Sequence, residues 1–215
     1  MTDTAGTSPR ERYRAQVRAE IKQRAWEQLA TTGVAALSLN AIAKQLGLSG
    51  PALYRYYASR DDLLTELIRD AYRSLADTIQ ARAAAGADLA GLAHAFRDWA
   101  RADPQRYFLI YGTPVPGYHA PEDTTRISAE IMAVVIDASA ARPVEAPDTP
   151  LDAELGRHRR WAGENPAPPA ILARALSFWT RVHGVLSLEL AGHFEGMEFD
   201  PAVLFADEVE RLSSR

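Results

Sequence analysis

The 215-residue chain contains no cysteine. That excludes disulfides, thiolate metal ligands and cysteine nucleophiles, and it agrees with a cytoplasmic setting. No apolar run approaches the roughly 18 residues that would span a membrane. The first nine residues are polar, include Pro9 and lack the apolar core of a secretory signal, so neither export nor membrane insertion is expected. The histidines His94, His119, His158, His183 and His193 form no H-E-x-x-H or i, i+4 pair, and the chain has neither a Gly-rich phosphate loop nor a G-x-S-x-G elbow. Carboxylates are plentiful but scattered over solvent-facing helix positions. No metal or cofactor is expected, and little remains to support an enzyme.

What is present is unevenly distributed. The net charge of −4 conceals a basic end. Between Arg10 and Arg60 stand nine Lys or Arg against three acids, a balance of +6. Apart from Asp3, the rest of the chain carries 15 basic and 24 acidic residues, a balance of −9. A basic module on an acidic body suits a protein that offers one face to a phosphate backbone.

The basic end also holds the most informative stretch, Ser38 to Leu64, SLNAIAKQLGLSGPALYRYYASRDDLL. Ser38 can cap a helix with Ile42, Ala43 and Leu46 inward, and small Ala43 permits close helix approach. Gly47 supplies a left-handed stop, and Leu48 re-enters the core. Ser49 then caps a second helix, roughly Gly50 to Tyr57, with Pro51 in its first turn. This is a helix-turn-helix, whose second helix would enter the major groove of DNA.

The flanks extend the pattern, and the expected fold is all-α with about nine or ten helices. Residues 1–12 read as a disordered basic arm, continued by Arg14. A helix from about Tyr13 to Thr32 carries Val17, Ile21, Ala25 and Leu29 inward, and Trp26 is expected against the motif helices. Ser59 caps a long helix to about Ala85. Further helices are expected over 88–102, 103–111, 121–141, 150–162, 169–193 and 200–212, with proline-rich breaks at 112–121, 142–150 and 164–169. Three parts follow: the arm, a helix-turn-helix domain over 13–60, and a helical domain over 61–215. The 169–193 helix is apolar nearly all round, so it needs partners on two faces. Leu176, Val182, Leu186, Leu190, Val203 and Leu204 are therefore candidates for a homodimer interface, the alternative being a central core helix of a monomer.

Read with its flanks, the motif resembles the TetR family of bacterial transcriptional regulators. The likeness is carried by Ser38, Ile42, Ala43, Gly47 to Ser49, Leu53, Tyr54, Tyr56, Tyr57, Leu63 and Leu64, over residues 13 to 65. Trp179, His183 and Gly184, in FWTRVHG, are similar to a C-terminal subgroup named for Trp, His and Gly. The resemblance implies an Ω-shaped homodimer whose N-terminal domains occupy successive major grooves of a palindromic operator. It also implies a pocket for a small-molecule effector in the C-terminal domain. Bound effector would shift the long helix, alter the spacing of the two reading heads and release the DNA, relieving repression.

Phosphate contacts fix position and base contacts specify sequence. Ser38 and Ser49 offer hydroxyls and helix-terminal N–H groups to phosphate, although each also has a capping role. Lys44 and Arg60 add charge, and Tyr54 and Tyr56 match family positions that meet the backbone. Base reading falls to Gly50, Pro51, Ala52 and Arg55. Only Arg55 has hydrogen-bonding reach, either bidentate to a guanine or to a phosphate. For the effector, Phe96, Trp99, Tyr107, Phe108, Tyr111, Trp161, Phe178, Trp179 and His183, with His119 and Met132, offer an aromatic lining suited to a mostly apolar molecule; core packing is the competing role. Two other functions stay open: a DNA-binding dimer without a ligand, and a helix-turn-helix fused to an enzymatic body.

Overall fold

The computed structural model describes residues 8–115, 117–119, 121–142 and 149–213. Among these are ten α-helices and no strand: α1 (Pro9–Thr32), α2 (Leu39–Gln45), α3 (Gly50–Tyr54), α4 (Arg60–Ala84), α5 (Leu89–Ala102), α6 (Pro104–Tyr111), α7 (Glu122–Ala140), α8 (Pro150–Arg157), α9 (Pro169–Leu190) and α10 (Pro201–Ser213). Single 3₁₀ turns occupy Val34–Ala36 and Arg160–Ala162. The second of these corrects the continuous 150–162 helix: α8 ends at a non-helical His158 (φ −120°, ψ 65°). The proline-dense segment at 143–148 lies outside the described residues.

The chain divides into two compact units. One comprises Met1–Asp70 with Gln105–Ala120, the other Ala71–Pro104 with Pro121–Arg215. The first unit takes in the start of α4, which α1 grips. Arg18 pairs with Glu66, and Lys22 reaches both Glu66 at 3.3 Å and Asp70 at 2.7 Å.

In the first unit, α1 starts four residues before the expected Tyr13. Ser8, Pro9 and Glu11 form a capping box, in which Glu11 N–H donates to Ser8 Oγ and Ser8 N–H to the Glu11 carboxylate. The supposed arm is therefore helical from Pro9, and residues 1–7 lie outside the described region. Val17, Ile21, Ala25 and Leu29 repeat every four residues and are buried with Leu37, Leu39, Ile42, Ala43, Leu53, Tyr57 and the first leucines of α4. Full burial of a Leu or Ile side chain contributes about 1.5–3 kcal/mol, so this stripe fixes the position of the short helices α2 and α3. Trp26 faces α6, with the Arg106 guanidinium 5.5 Å from its ring centre.

In the second unit α9 is central and packs on α7, α8 and α10. It buries Ile171, Leu172, Ala175, Phe178, Val182 and Leu186. Across its C-terminal end, Glu189 takes two hydrogen bonds from Arg97 of α5, at 2.9 and 2.6 Å. The same guanidinium lies 5.4 Å from the Phe205 ring of α10. Three helices thus meet at one buried charge pair.

Candidate nucleic-acid interface

The turn between α2 and α3 follows from its residues. Gly47 takes φ +64°, Leu48 N–H donates to Ala43 O at 2.9 Å and Gly47 N–H to Lys44 O at 3.3 Å. This paired closure needs the left-handed residue that glycine supplies. Ser38 Oγ accepts from Ala41 N–H and Ser49 Oγ from Ala52 N–H, both at 3.3 Å. Each hydroxyl is therefore a helix cap, as its sequence position required.

α3 is shorter than the expected Gly50 to Tyr57. Arg55 is its C-cap, and the chain turns there to send the Tyr57 ring inward and to let Ser59 cap α4 through Asp62 N–H. Leu53 and Tyr57 are 0% and 2% exposed, whereas Tyr54 is 47% exposed. Pro51 and Arg55 are exposed, Gly50, Ala52 and Tyr56 half-buried, and Lys44 exposed on α2. One face of α3 is thus core, and the opposite face presents Pro51, Tyr54 and Arg55 to solvent.

Beside it lies a hollow of about 390 Å³, lined by Ser38, Leu39, Asn40, Tyr54, Ala58, Ser59 and Arg60. Three of its hydroxyl or guanidinium groups were singled out in the sequence. Ser59 was named only as a cap, and Asn40, two residues beyond Ser38 in the first turn of α2, was not named. Arg60 also has a structural role. Its guanidinium donates to Val34 O at 2.6 Å and to Asp61 at 3.2 Å, so it ties the 3₁₀ turn to α4. Gln28 completes the bracing, accepting from Ser38 N–H at 3.0 Å.

Arg18 stands 4.8 Å from the centre of the Tyr57 ring. Burial, reinforced by Glu66, pushes the Tyr57 phenol above its ordinary range. Burial alone would raise the Glu66 carboxyl, but hydrogen bonds and charge from Arg18 and Lys22 outweigh it and hold the group below its ordinary value.

The expected effector-site residues are divided between the two units. Tyr107, Phe108 and Tyr111 belong to the first unit, where Tyr107 lies 5.6 Å from Phe108 and 5.4 Å from Tyr111. Phe108 also lines a cavity of about 180 Å³ with Leu29, Val34 and Leu109. In the second unit, Phe96 is 6.1 Å from Trp99, 5.6 Å from Trp179 and 4.9 Å from His183, and Trp179 lies 4.3 Å from His183. Trp99 Nε1–H donates to Ser74 Oγ at 3.1 Å, and Phe178 is buried. Burial brings the His183 imidazole down to about 4. Trp161 sits elsewhere, in a hollow with Thr125, Arg157 and Arg160.

The dimer candidates also separate. Val182 and Leu186 are 2% and 0% exposed within a single chain, so they are core residues and are withdrawn from the interface set. Val203 is 67% exposed, and Leu176, Leu190 and Leu204 are half-buried. Leu188, Met197 and Phe199, absent from the predicted set, are each more than 40% exposed. Leu188 was legible in principle, since two positions beyond inward-facing Leu186 is about 200° round a helix.

No helix among the described residues is long and apolar enough to cross a membrane. Residues 21–67 match the bacterial regulatory proteins of the tetR family, and residues 89–212 match the Tetracyclin repressor-like C-terminal domain. An HTH-type transcriptional regulator of Mycobacterium tuberculosis, Rv1816, is 37% identical over 99% of this chain and 97% of its own length. The crystal structure of the regulatory protein SCO4313 has a TM-score of 0.91 and 66% identity, covering 97% of this chain and all of that one. A tetR-family regulatory protein of Rhodococcus RHA1, 19% identical over 92% of this chain and 95% of its own, shares the fold with a TM-score of 0.60. The chain therefore belongs to the TetR family and is a DNA-binding transcriptional regulator, not an enzyme.

Proposed function

We propose that the chain is a homodimeric repressor that reads a palindromic operator with α3 and releases it on binding a small, mostly apolar effector. The observation that carries the DNA reading is the two-faced character of α3: Leu53 and Tyr57 are sealed in the core while Pro51, Tyr54 and Arg55 face out. Arg55 is the base-reading residue, suited to guanine O6 and N7, and Pro51 and Ala52 meet thymine methyl groups. Gly50 brings the backbone close. Ser38, Lys44, Ser49, Tyr54 and Tyr56 hold phosphates, and Arg60 sets the turn that positions them.

Dimerisation rests on the outer face of α9 and α10, where Leu188 and Val203 are exposed beside Leu176, Leu190 and Leu204. Two α3 helices must then lie about 34–36 Å apart to enter successive major grooves. The effector site falls in the second unit near Phe96, Trp99, Phe178, Trp179 and His183. A second reading, a DNA-binding dimer without a ligand, is favoured by the packing of the Phe96, Trp179 and His183 rings against one another. Footprinting on DNA flanking its own gene, with and without a panel of small apolar compounds, tests both. A two-fold symmetric protected site that is lost with one compound supports the repressor; protection unmoved by every compound favours the ligand-free dimer; no protected site rejects both.

A further inference from the structure

We propose that the first two turns of α1 form a rigid arginine bracket that holds duplex phosphates beyond the bases read by α3. The proposal rests on the DNA-reading assignment and adds a contact surface to it. Every residue from Ser8 to Gln16 is exposed, and Tyr13 is 63% exposed. The first inward residue of α1 is Val17. Two turns of helix therefore project without packing on the core, although isolated helical turns are marginal in water. They are kept helical by continuity with the buried part of α1 and by the Ser8–Glu11 capping box with Pro9 in the first turn. A stretch that buries nothing yet is capped at its end suits a surface that something else covers.

Its chemistry points to phosphate. Arg10, Arg14 and Arg18 follow at intervals of four, so they share one face of the helix. Arg18 is held by Glu66 and lies over Tyr57, just past the exposed end of α3. Arg14 and Arg10 continue that row toward the start of α1, and their side chains have no ion pair or hydrogen bond among the described residues. The acid of that first turn, Glu11, is occupied by Ser8, and Glu20 accepts from Gln16. From Arg18 to Arg10 the rise is about 12 Å at 1.5 Å per residue. With one phosphate per strand for about every 3.4 Å of duplex axis, a row lying along the axis spans about three or four phosphates of a strand. A disordered arm would search a groove; a capped helix presents its arginines in fixed register, so these contacts set position without reading sequence.

The test is the salt dependence of binding by the full chain. Anisotropy titrations from 50 to 200 mM salt would use a labelled duplex carrying the site footprinted upstream of its own gene, and a random duplex of equal length. Two phosphate contacts contribute about 1.8 to the slope of log K against log salt. Across that fourfold range, the double variant Arg10→Ala, Arg14→Ala should lose about tenfold less affinity than wild type, on both duplexes. Arg10→Lys with Arg14→Lys should keep the wild-type slope. Alanine at these exposed positions preserves the helix, which circular dichroism checks. Equal slopes for wild type and the alanine variant, with wild-type binding intact, would overturn this proposal alone. Wild type that binds neither duplex would overturn the DNA-reading assignment and the bracket with it.

Discussion

His183 gives stability a pH dependence that can be worked from its surroundings. Its ring meets the edges of Phe96 and Trp179 at 4.9 and 4.3 Å, and burial among them brings its pKa from 6.5 to about 4. Between those values the unfolded chain binds a proton that the folded chain refuses. The contribution is therefore complete above pH 6.5 and is lost as pH falls through the window towards 4. From pH 7 to pH 5 this single site costs about 2 kcal/mol, at 1.36 kcal/mol for each unit of separation. With a urea dependence of about 2 kcal/mol per molar, the midpoint should fall by about 1 M. Urea unfolding followed by tryptophan fluorescence, with Trp179 beside the titrating ring, measures it at pH 7, 6 and 5. His183→Gln removes the titration, so the stability deficit of the variant relative to wild type should shrink by about 2 kcal/mol over that range. Staying above pH 5 avoids Glu66, whose lowered pKa places its own loss of stability below its ordinary value of 4.5. Parallel curves for wild type and variant from pH 7 to 5 would refute the buried neutral imidazole.

Glu189→Ala strands the Arg97 guanidinium, which is only 7% exposed, and should cost about 3–5 kcal/mol in thermal or denaturant unfolding; a loss below 1 kcal/mol would show that the pair is wet. Leu186→Glu, at a fully buried position of α9, should unfold the second unit instead of merely separating subunits, and Leu186→Ala should cost about 2–5 kcal/mol. Val203→Glu, on the exposed face of α10, should yield folded monomers by light scattering; an unchanged dimer mass would remove α10 from the interface.

The reading head was legible because its signals are local. Ser38, Gly47, Ser49 and Ser59 act on their own neighbours within three or four residues, and each was found in its expected role. The i, i+4 stripe of α1 is likewise a property of one helix. The start of α1 was misplaced because Ser8 and Glu11 cap a turn that carries no apolar residue, and the apolar period was the guide to the helix. Arg60 shows a different limit. Its partner, the Val34 carbonyl, is a backbone group 26 residues away, and no side-chain pattern announces it. Val182 and Leu186 were assigned to an interface because a helix apolar on all sides leaves open which side a neighbouring helix of the same chain covers. Only the packing of α9 on α7, α8 and α10 settles which side chains are inward. The division of the aromatic residues between the two units was not legible for a related reason: ring content says nothing of which unit a helix joins, and α6 belongs with α1.

The most direct test of the central claim, that α3 reads DNA through its exposed face, is the specificity ratio of Arg55→Ala. Affinities for the footprinted site and for a random duplex of equal length are measured at one salt concentration for both proteins. The account predicts that wild type prefers the site and that the variant loses about 1–3 kcal/mol of that preference, roughly five- to 150-fold, with unfolding unchanged at this exposed position. An equal loss on both duplexes, leaving the ratio intact, would contradict it and make Arg55 a phosphate contact.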